Sequence, residues 1–230
     1  MAWPLPRLLA PAWFDEARLI VQGAQFRAAL AERPIAGRVL NAGCGEGLYA
    51  PLLEAGGDVT SIWNVDLSRP SIARRRPDRR HRDLQASVTA LPFRARSFDA
   101  AICSEVVEHV EDDRAAVREL ARVLVPGGVL FISVPAIPAP YDPAHLREGY
   151  TRERLEALLE SEGFEVVATR DCHHALMRLL YRLWQWQHQV AGRNFFPRFL
   201  LRFAAHADRL TRWGRPWDLL VAALNRPNLL

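Results

Sequence analysis

The sequence predicts an α/β fold built on a doubly wound, mostly parallel sheet, and three observations carry that expectation. Short apolar runs alternate with helical patterns from about residue 38 onward, the order produced by parallel strands joined through crossover helices. The first run, Val39-Leu40-Asn41-Ala42, leads into Gly43-Cys44-Gly45-Glu46-Gly47, so that a strand gives way to a glycine turn and then a helix. The second run, Ile62-Trp63-Asn64-Val65, ends in Asp66, nineteen residues after Gly47. Glycines at alternate positions let a backbone bend sharply against a ligand, and a carboxylate at the end of the second strand can hold both hydroxyls of a ribose.

In chain order, residues 14–32 place Phe14, Val21, Phe26 and Leu30 on an imperfect helical face that Pro34 ends, a helix expected to lie across the mouth of the ligand site. Strands follow over 38–41, 59–65, 81–88, 98–103, 129–134 and 164–169, with helices over 48–55, from Pro70, over 112–124 and over 151–162. The uncharged stretch 123–141 is long enough to suggest a membrane span. Pro126-Gly127-Gly128 and the later Pro135, Pro138 and Pro140 resolve it instead into a turn, a buried strand and a loop. Residues 172–215 are too long for a hairpin. Leu176, Leu179, Leu180, Leu183, Trp186 and Val190 form one helical stripe opposite Arg178, Arg182, Gln185 and Gln189. After Pro197, a second stripe of Phe196, Phe199, Leu200, Phe203, Ala207 and Leu210 faces Arg198, Arg202 and Arg209. This is a two-helix insertion ahead of a seventh strand near 217–224. One domain is expected, with residues 1–34 as a helical cap, 35–171 as the core, 172–215 as the insertion and 216–230 as the last strand and tail.

Composition narrows the setting. Cysteines 44, 103 and 172 are isolated, which argues against a disulfide framework or zinc knuckle and suits a reducing cytoplasm. Residues 1–14 carry three prolines and an arginine, which break a signal-peptide pattern. All thirty basic residues are arginine, and between His173 and Trp217 eight arginines meet one acid, Asp208. Nine of the twenty-one aromatics also follow residue 172, and arginine opposite tryptophan and phenylalanine suits an anionic membrane surface. Three readings of the insertion stay open: packing on the sheet or against a second copy, a lid over a greasy substrate, and peripheral membrane attachment. The arginine run 74–82 lacks interleaved aromatics and reads as a solvated face, so no nucleic-acid partner is expected.

The glycine turn also selects among cofactors. A dinucleotide fold wants G-x-G-x-x-G, but counted from Gly43 the third glycine position is Leu48. A P-loop needs a lysine, and the chain has none. Tight glycines without phosphate machinery favour a nucleoside joined to a small zwitterion.

These residues resemble the class I S-adenosylmethionine-dependent methyltransferases, in particular the broad group with the pattern V-L-D-x-G-C-G-x-G. Further blocks match in order: Asp66, Ala90-Leu91-Pro92-Phe93 with Ser97-Phe98-Asp99, Ser104-Glu105-Val106-Val107-Glu108-His109, and Arg122-Val123-Leu124-Val125-Pro126-Gly127-Gly128. The resemblance spans about residues 35–170. It implies a seven-stranded sheet whose last strand runs antiparallel between the fifth and sixth, and S-adenosylmethionine as cofactor. The residues it assigns to that cofactor are Asn41, Gly43, Cys44, Gly45, Gly47, Asp66, Leu67, Ser87, Val88, Ser104 and Glu105. Two positions depart from the pattern. The usual acid at the end of the first strand is Asn41, and the acid that meets the adenine amino group falls on Ser87, with Asp83 four residues earlier.

Methyl transfer from a sulfonium needs orientation and exclusion of water more than covalent help. A hydroxyl acceptor benefits from a base, and His109 and His145 are the candidates. Glu105, Glu108 and His109 stand at i, i+3 and i+4 and on a helix could hold a divalent ion with His145, as in some methyltransferases of ubiquinone biosynthesis and of small-RNA ends. Metal-free relatives carry the same Glu-His pair, and no metal is assigned. The resemblance implies a methyltransferase, O-directed, on a small or lipid-like acceptor. The competing reading is a non-catalytic protein of the same fold that engages a membrane or partner through residues 172–215.

Overall fold

A computed structural model describes residues 12–55, 58–74, 79–137, 144–191, 198–216 and 218–226. The first eleven residues, residues 75–78 of the arginine run, Pro143, Phe196-Pro197 and Trp217 lie outside the described residues.

Seven strands form one sheet in the order β3-β2-β1-β4-β5-β7-β6. They are β1 (Ala36–Ala42), β2 (Asp58–Asp66), β3 (His81–Gln85), β4 (Phe98–Ser104), β5 (Leu124–Pro135), β6 (Phe164–Cys172) and β7 (Asp218–Asn225). The first five pair in parallel, while β7 runs antiparallel to both β5 and β6. Strand order reverses between β1 and β4, so the crevice beyond their C-terminal ends is the place where such sheets take ligands. The seven-stranded, doubly wound α/β architecture expected from the sequence is the one observed.

Side chains alternate across each central strand. Leu40, Ala101, Leu130 and Val221 face one layer with helices α4 (Asp113–Val123) and α5 (Arg152–Ser161). Val39, Ile102, Phe131 and Leu220 face the other, with Phe26 of α1 (Ala12–Glu32) and Leu53 of α2 (Ala50–Glu54). All eight of those strand side chains are at most 1 % exposed, and each buried Val, Leu, Ile or Phe contributes roughly 1.5–3 kcal/mol. Local sequence fixes the helix starts. Asp112 accepts from Ala115 N at 2.8 Å and Thr151 from Arg154 N at 3.2 Å, each cap stabilising its helix by about 1 kcal/mol.

Several boundaries differ from the sequence expectation. The third strand stops at Gln85, because Ser87 Oγ bonds Thr89 N and Thr89 Oγ1 and turns the chain. The fifth starts at Leu124 rather than Val129, since Pro126-Gly127-Gly128 is carried inside an extended segment. The sixth continues to Cys172.

The insertion forms α6 (Ala175–Ala191) and α7 (Arg198–Thr211). Its buried contacts are small: Ala205 of α7 and Met177 of α6 pack on Ala17 and Val21 of α1. Of the readings left open for the apolar stripe, packing on the sheet does not hold for Phe199 and Phe203, which point outward and are 67 % and 72 % exposed. Alanines let two helices approach closely, so Ala204 and Ala205 take the inner face and the larger residues are left outside.

Candidate active site

The turn after β1 hangs from β2. Gly43 N and Cys44 N both donate to Val65 O, at 2.7 and 2.9 Å. Gly43 has φ +68°, and a Cβ there would overlap the Val106 side chain, so the position requires glycine on both counts. Gly45 also lies in the left-handed region at φ +51°, but a Cβ there would meet nothing within 4 Å. Its N–H donates to Asp66 Oδ2 at 2.7 Å, and Ser68 N donates to Asp66 Oδ1 at 2.7 Å. Asp66 thus sits between two turns with one N–H on each oxygen. Each oxygen keeps a second lone pair for a further donor. Cys44 is buried beside this turn, Gly47 has φ +91°, and Leu67 stands 71 % exposed next to Asp66.

Asn41 does not face the turn. Its Nδ2 donates to Asn64 Oδ1 at 3.0 Å, and Asn64 Nδ2 contacts Asp83 Oδ1 at 2.8 Å and His81 Nδ1 at 3.0 Å. The parallel register pairs Asn41 with Asn64 and Asn64 with Asp83, so an amide ladder crosses β1, β2 and β3. An aspartate at position 41 would lack the amide donor that this ladder uses. Asp83 is engaged by the ladder, while Ser87 bonds within its own turn and Val88 is packed in the core.

At the end of β4, Glu105 adopts φ +55°, which costs a non-glycine residue about 1 kcal/mol or more and marks a constrained site. Its N–H donates to Ser133 O at 2.9 Å. Its carboxylate accepts from Ser133 Oγ at 2.9 Å and Gln22 Nε2 at 3.2 Å, and pairs with Arg18 at 3.0 Å. Ser104 and Ser133 hydroxyls meet at 2.7 Å, and Tyr49 bonds Gln22 Oε1. Burial raises the Glu105 carboxyl above its ordinary range and the Asp218 charge adds to that, against the stabilising Arg18 guanidinium. Helix α1 therefore does lie beside this crevice and sends Arg18 and Gln22 into it.

The histidines come together as a pair. His109 and His145 rings are 4.7 Å apart between centroids and meet edge to face. His109 Nδ1 is 2.8 Å from Ala144 O. A carbonyl only accepts, so Nδ1 is the donor, and Nε2, 3.7 Å from Glu108 Oε1, is the nitrogen left to accept. The segment bearing His145 is held by Leu146 N on Glu108 O at 2.9 Å and by Arg147 on Val107 O. Glu108 is fully buried, and burial, with the Glu105 charge second, holds its carboxyl well above the usual range.

Glu108, His109 and His145 offer ligand atoms within 4.8 Å of one another. Glu105 is not in that group among the described residues. Only Val107–His109 form a single 3₁₀ turn, and Glu105 precedes it in left-handed backbone, so the i, i+3, i+4 face expected for a helix does not form.

Sequence reading did not find Arg18, Gln22, Tyr49 or Ser133 as part of this crevice. Gln22 and Ser133 are 111 residues apart, and only the docking of α1 joins them. It also missed His173, at the end of β6, whose Nδ1 bonds Asp218 at the start of β7 in a buried pair. Two adjacent histidines after a strand were the only signal.

Comparison with known proteins gives a consistent picture. A family model described as methyltransferase domain matches residues 40–132. A probable S-adenosylmethionine-dependent methyltransferase of Mycolicibacterium smegmatis is 33 % identical over 171 residues, covering 70 % of this chain and 63 % of the relative. A ubiquinone biosynthesis O-methyltransferase of Methylocella silvestris is 38 % identical over 110 residues, 44 % of this chain and 41 % of the relative. The chain thus spans less than two thirds of the length of these curated relatives. The solved structure of an S-adenosylmethionine-dependent methyltransferase from Mesorhizobium loti superposes with a TM-score of 0.61 at 21 % identity, covering 87 % of this chain and 97 % of that one.

Proposed function

We propose that the chain is a class I S-adenosylmethionine-dependent methyltransferase and that it methylates a hydroxyl group of a small or lipid-like acceptor. The observation that carries the cofactor reading is the open space at Gly45 beside the fixed Asp66 carboxylate. In this reading Gly43, Cys44, Gly45 and Gly47 form the floor, Asp66 takes the ribose, and Leu67 with Ser87 and Val88 borders the adenine. Ser104 and Glu105 lie toward the amino-acid end, and Asn41 supports the floor through its amide ladder. When bound, the cofactor supplies a methyl carbon activated on a sulfonium, so that an oriented nucleophile is enough.

The residues of this chain would then do three things. Glu105, held by Arg18, Gln22 and Ser133, supplies a negative group in a nearly closed crevice, its side chain 10 % exposed. Helix α1 limits water at that crevice. His109, with Nδ1 tied to Ala144 O, presents Nε2 as the proton acceptor for a hydroxyl, and His145 packs against its ring. The similarity to ubiquinone O-methyltransferases supports an oxygen acceptor.

The experiment is transfer of labelled methyl from S-adenosylmethionine into fractionated lipid and small-molecule extracts. Label in a methyl ether of a hydroxylated compound supports the proposal. Label confined to nitrogen would overturn the choice of acceptor atom.

A further inference from the structure

The outer face of the insertion is a feature that the cofactor crevice does not use. On α7 and just beyond it, Phe199, Phe203, Leu210 and Trp213 are 67, 72, 76 and 76 % exposed. Phe199, Phe203 and Leu210 fall at i, i+4 and i+11, so they line one side of the helix. On α6, Leu179 and Leu183 are also exposed, at 53 and 37 %. Among the described residues an apolar face of this kind is not explained by packing, because the inner face of the same helix is already closed on α1 through Ala205.

The charge that the insertion itself exposes among the described residues has one sign. Arg182, Arg212 and Arg215 are all exposed. Asp208, the one acid between His173 and Trp217, is buried and turned inward, where it accepts from His174 N at 2.7 Å and Met177 N at 3.0 Å. Hydrogen bonds from His174 and Met177 keep it ionised below its usual range despite burial. No carboxylate of this segment therefore offsets the surface arginines.

We infer that the outer face of α6 and α7 is a docking surface for an anionic lipid bilayer. Guanidinium groups bind phosphate oxygens in bidentate geometry, and phenylalanine, leucine and tryptophan on the same face enter the boundary between headgroups and acyl chains. Among the described residues no helix is long and apolar enough to cross a membrane, so the attachment is at the surface. A second copy of this chain is a poor occupant, since it would bring the same positive face against this one. The inference goes beyond the proposed methyl transfer. It would bring the crevice close to lipid-borne acceptors, because α1 touches the insertion through Ala17 and Val21 and the crevice through Arg18 and Gln22.

The test is flotation of the full chain with vesicles of phosphatidylcholine alone and of phosphatidylcholine with phosphatidylglycerol. Partition onto the phosphatidylglycerol vesicles, weakened by salt, is expected. Phe199→Ser with Phe203→Ser should lower that partition by at least about tenfold. Replacing Arg182, Arg212 and Arg215 by glutamine should lower it roughly fivefold per arginine and flatten the salt dependence. S-adenosylhomocysteine affinity and the unfolding midpoint, measured on the same variants, should not change, which separates loss of the surface from loss of the fold or of the cofactor site. Absence of the intact chain from the phosphatidylglycerol vesicles would overturn the inference, as would equal partition onto both vesicle types. So would a dimer in solution that the two serine substitutions dissociate.

Discussion

The backbone N–H of Gly45 lies 2.7 Å from Asp66 Oδ2, and this contact closes the glycine turn of β1 onto the carboxylate that ends β2. Because Ser68 N occupies the other oxygen at the same distance, the carboxylate is oriented before any ligand arrives. Asp66→Ala should therefore weaken S-adenosylhomocysteine about 10- to 100-fold, the equivalent of one charge-assisted hydrogen bond, with thermal stability falling less. Asp66→Asn should lie between. Titration calorimetry measures both, and unchanged affinity in the alanine variant would remove Asp66 from the ribose site.

The two left-handed glycines should separate packing from binding. Gly43→Ala sets a methyl group against Val106 and should lower stability by about 2 kcal/mol or more, with partial recovery when Val106→Ala is added. Gly45→Ala carries only the backbone penalty of about 1 kcal/mol, yet should reduce cofactor affinity more than that loss explains, since its methyl enters the open side of the turn. Urea unfolding and calorimetry on the same proteins decide the comparison.

Glu108 predicts a pH dependence of stability. It is fully buried, and its Oε1 stands 3.7 Å from His109 Nε2. In the unfolded chain it ionises near 4.5, whereas in the fold burial and the Glu105 charge keep it protonated to higher pH. The folded state then binds the extra proton, so its stabilising contribution is complete below about pH 4.5 and is lost as pH rises through the folded value. Glu108→Gln should raise the unfolding midpoint at pH 8 by roughly 2–4 °C, about 1 kcal/mol for a chain of this size, and by less at pH 5. An equal change at both pH values would show that Glu108 is ionised in the fold.

His109 and His145 should differ in effect despite their contact. His109→Ala removes the proton acceptor and should lower kcat about 10²- to 10⁴-fold with little change in cofactor affinity. His145→Ala removes a ring packed against it and should cost less, about tenfold or under in kcat. Equal kinetics for wild type and His109→Ala would exclude the histidine as base.

The sheet order and the glycine turn were legible because both depend on local pattern: strand periodicity, the Gly43–Gly47 spacing and Asp66. Asn41 was legible only as a missing acid. Its role in a ladder with Asn64 and Asp83 depends on strand register, which no single strand encodes. The outward turn of Phe199 and Phe203 was not legible for a related reason. Periodicity shows that a helix has two faces, but which one is buried depends on the partner, and here α1 accepts alanines. Arg18 and Gln22 enter the crevice only once α1 has docked, so nothing near Glu105 in the sequence announces them.

The most direct measurement is calorimetric titration of the purified chain with S-adenosylhomocysteine and, separately, with NAD. Saturable binding of S-adenosylhomocysteine that Asp66→Ala largely removes, with no heat from NAD, is the predicted result. Binding of NAD, or no binding of either compound, would contradict the account.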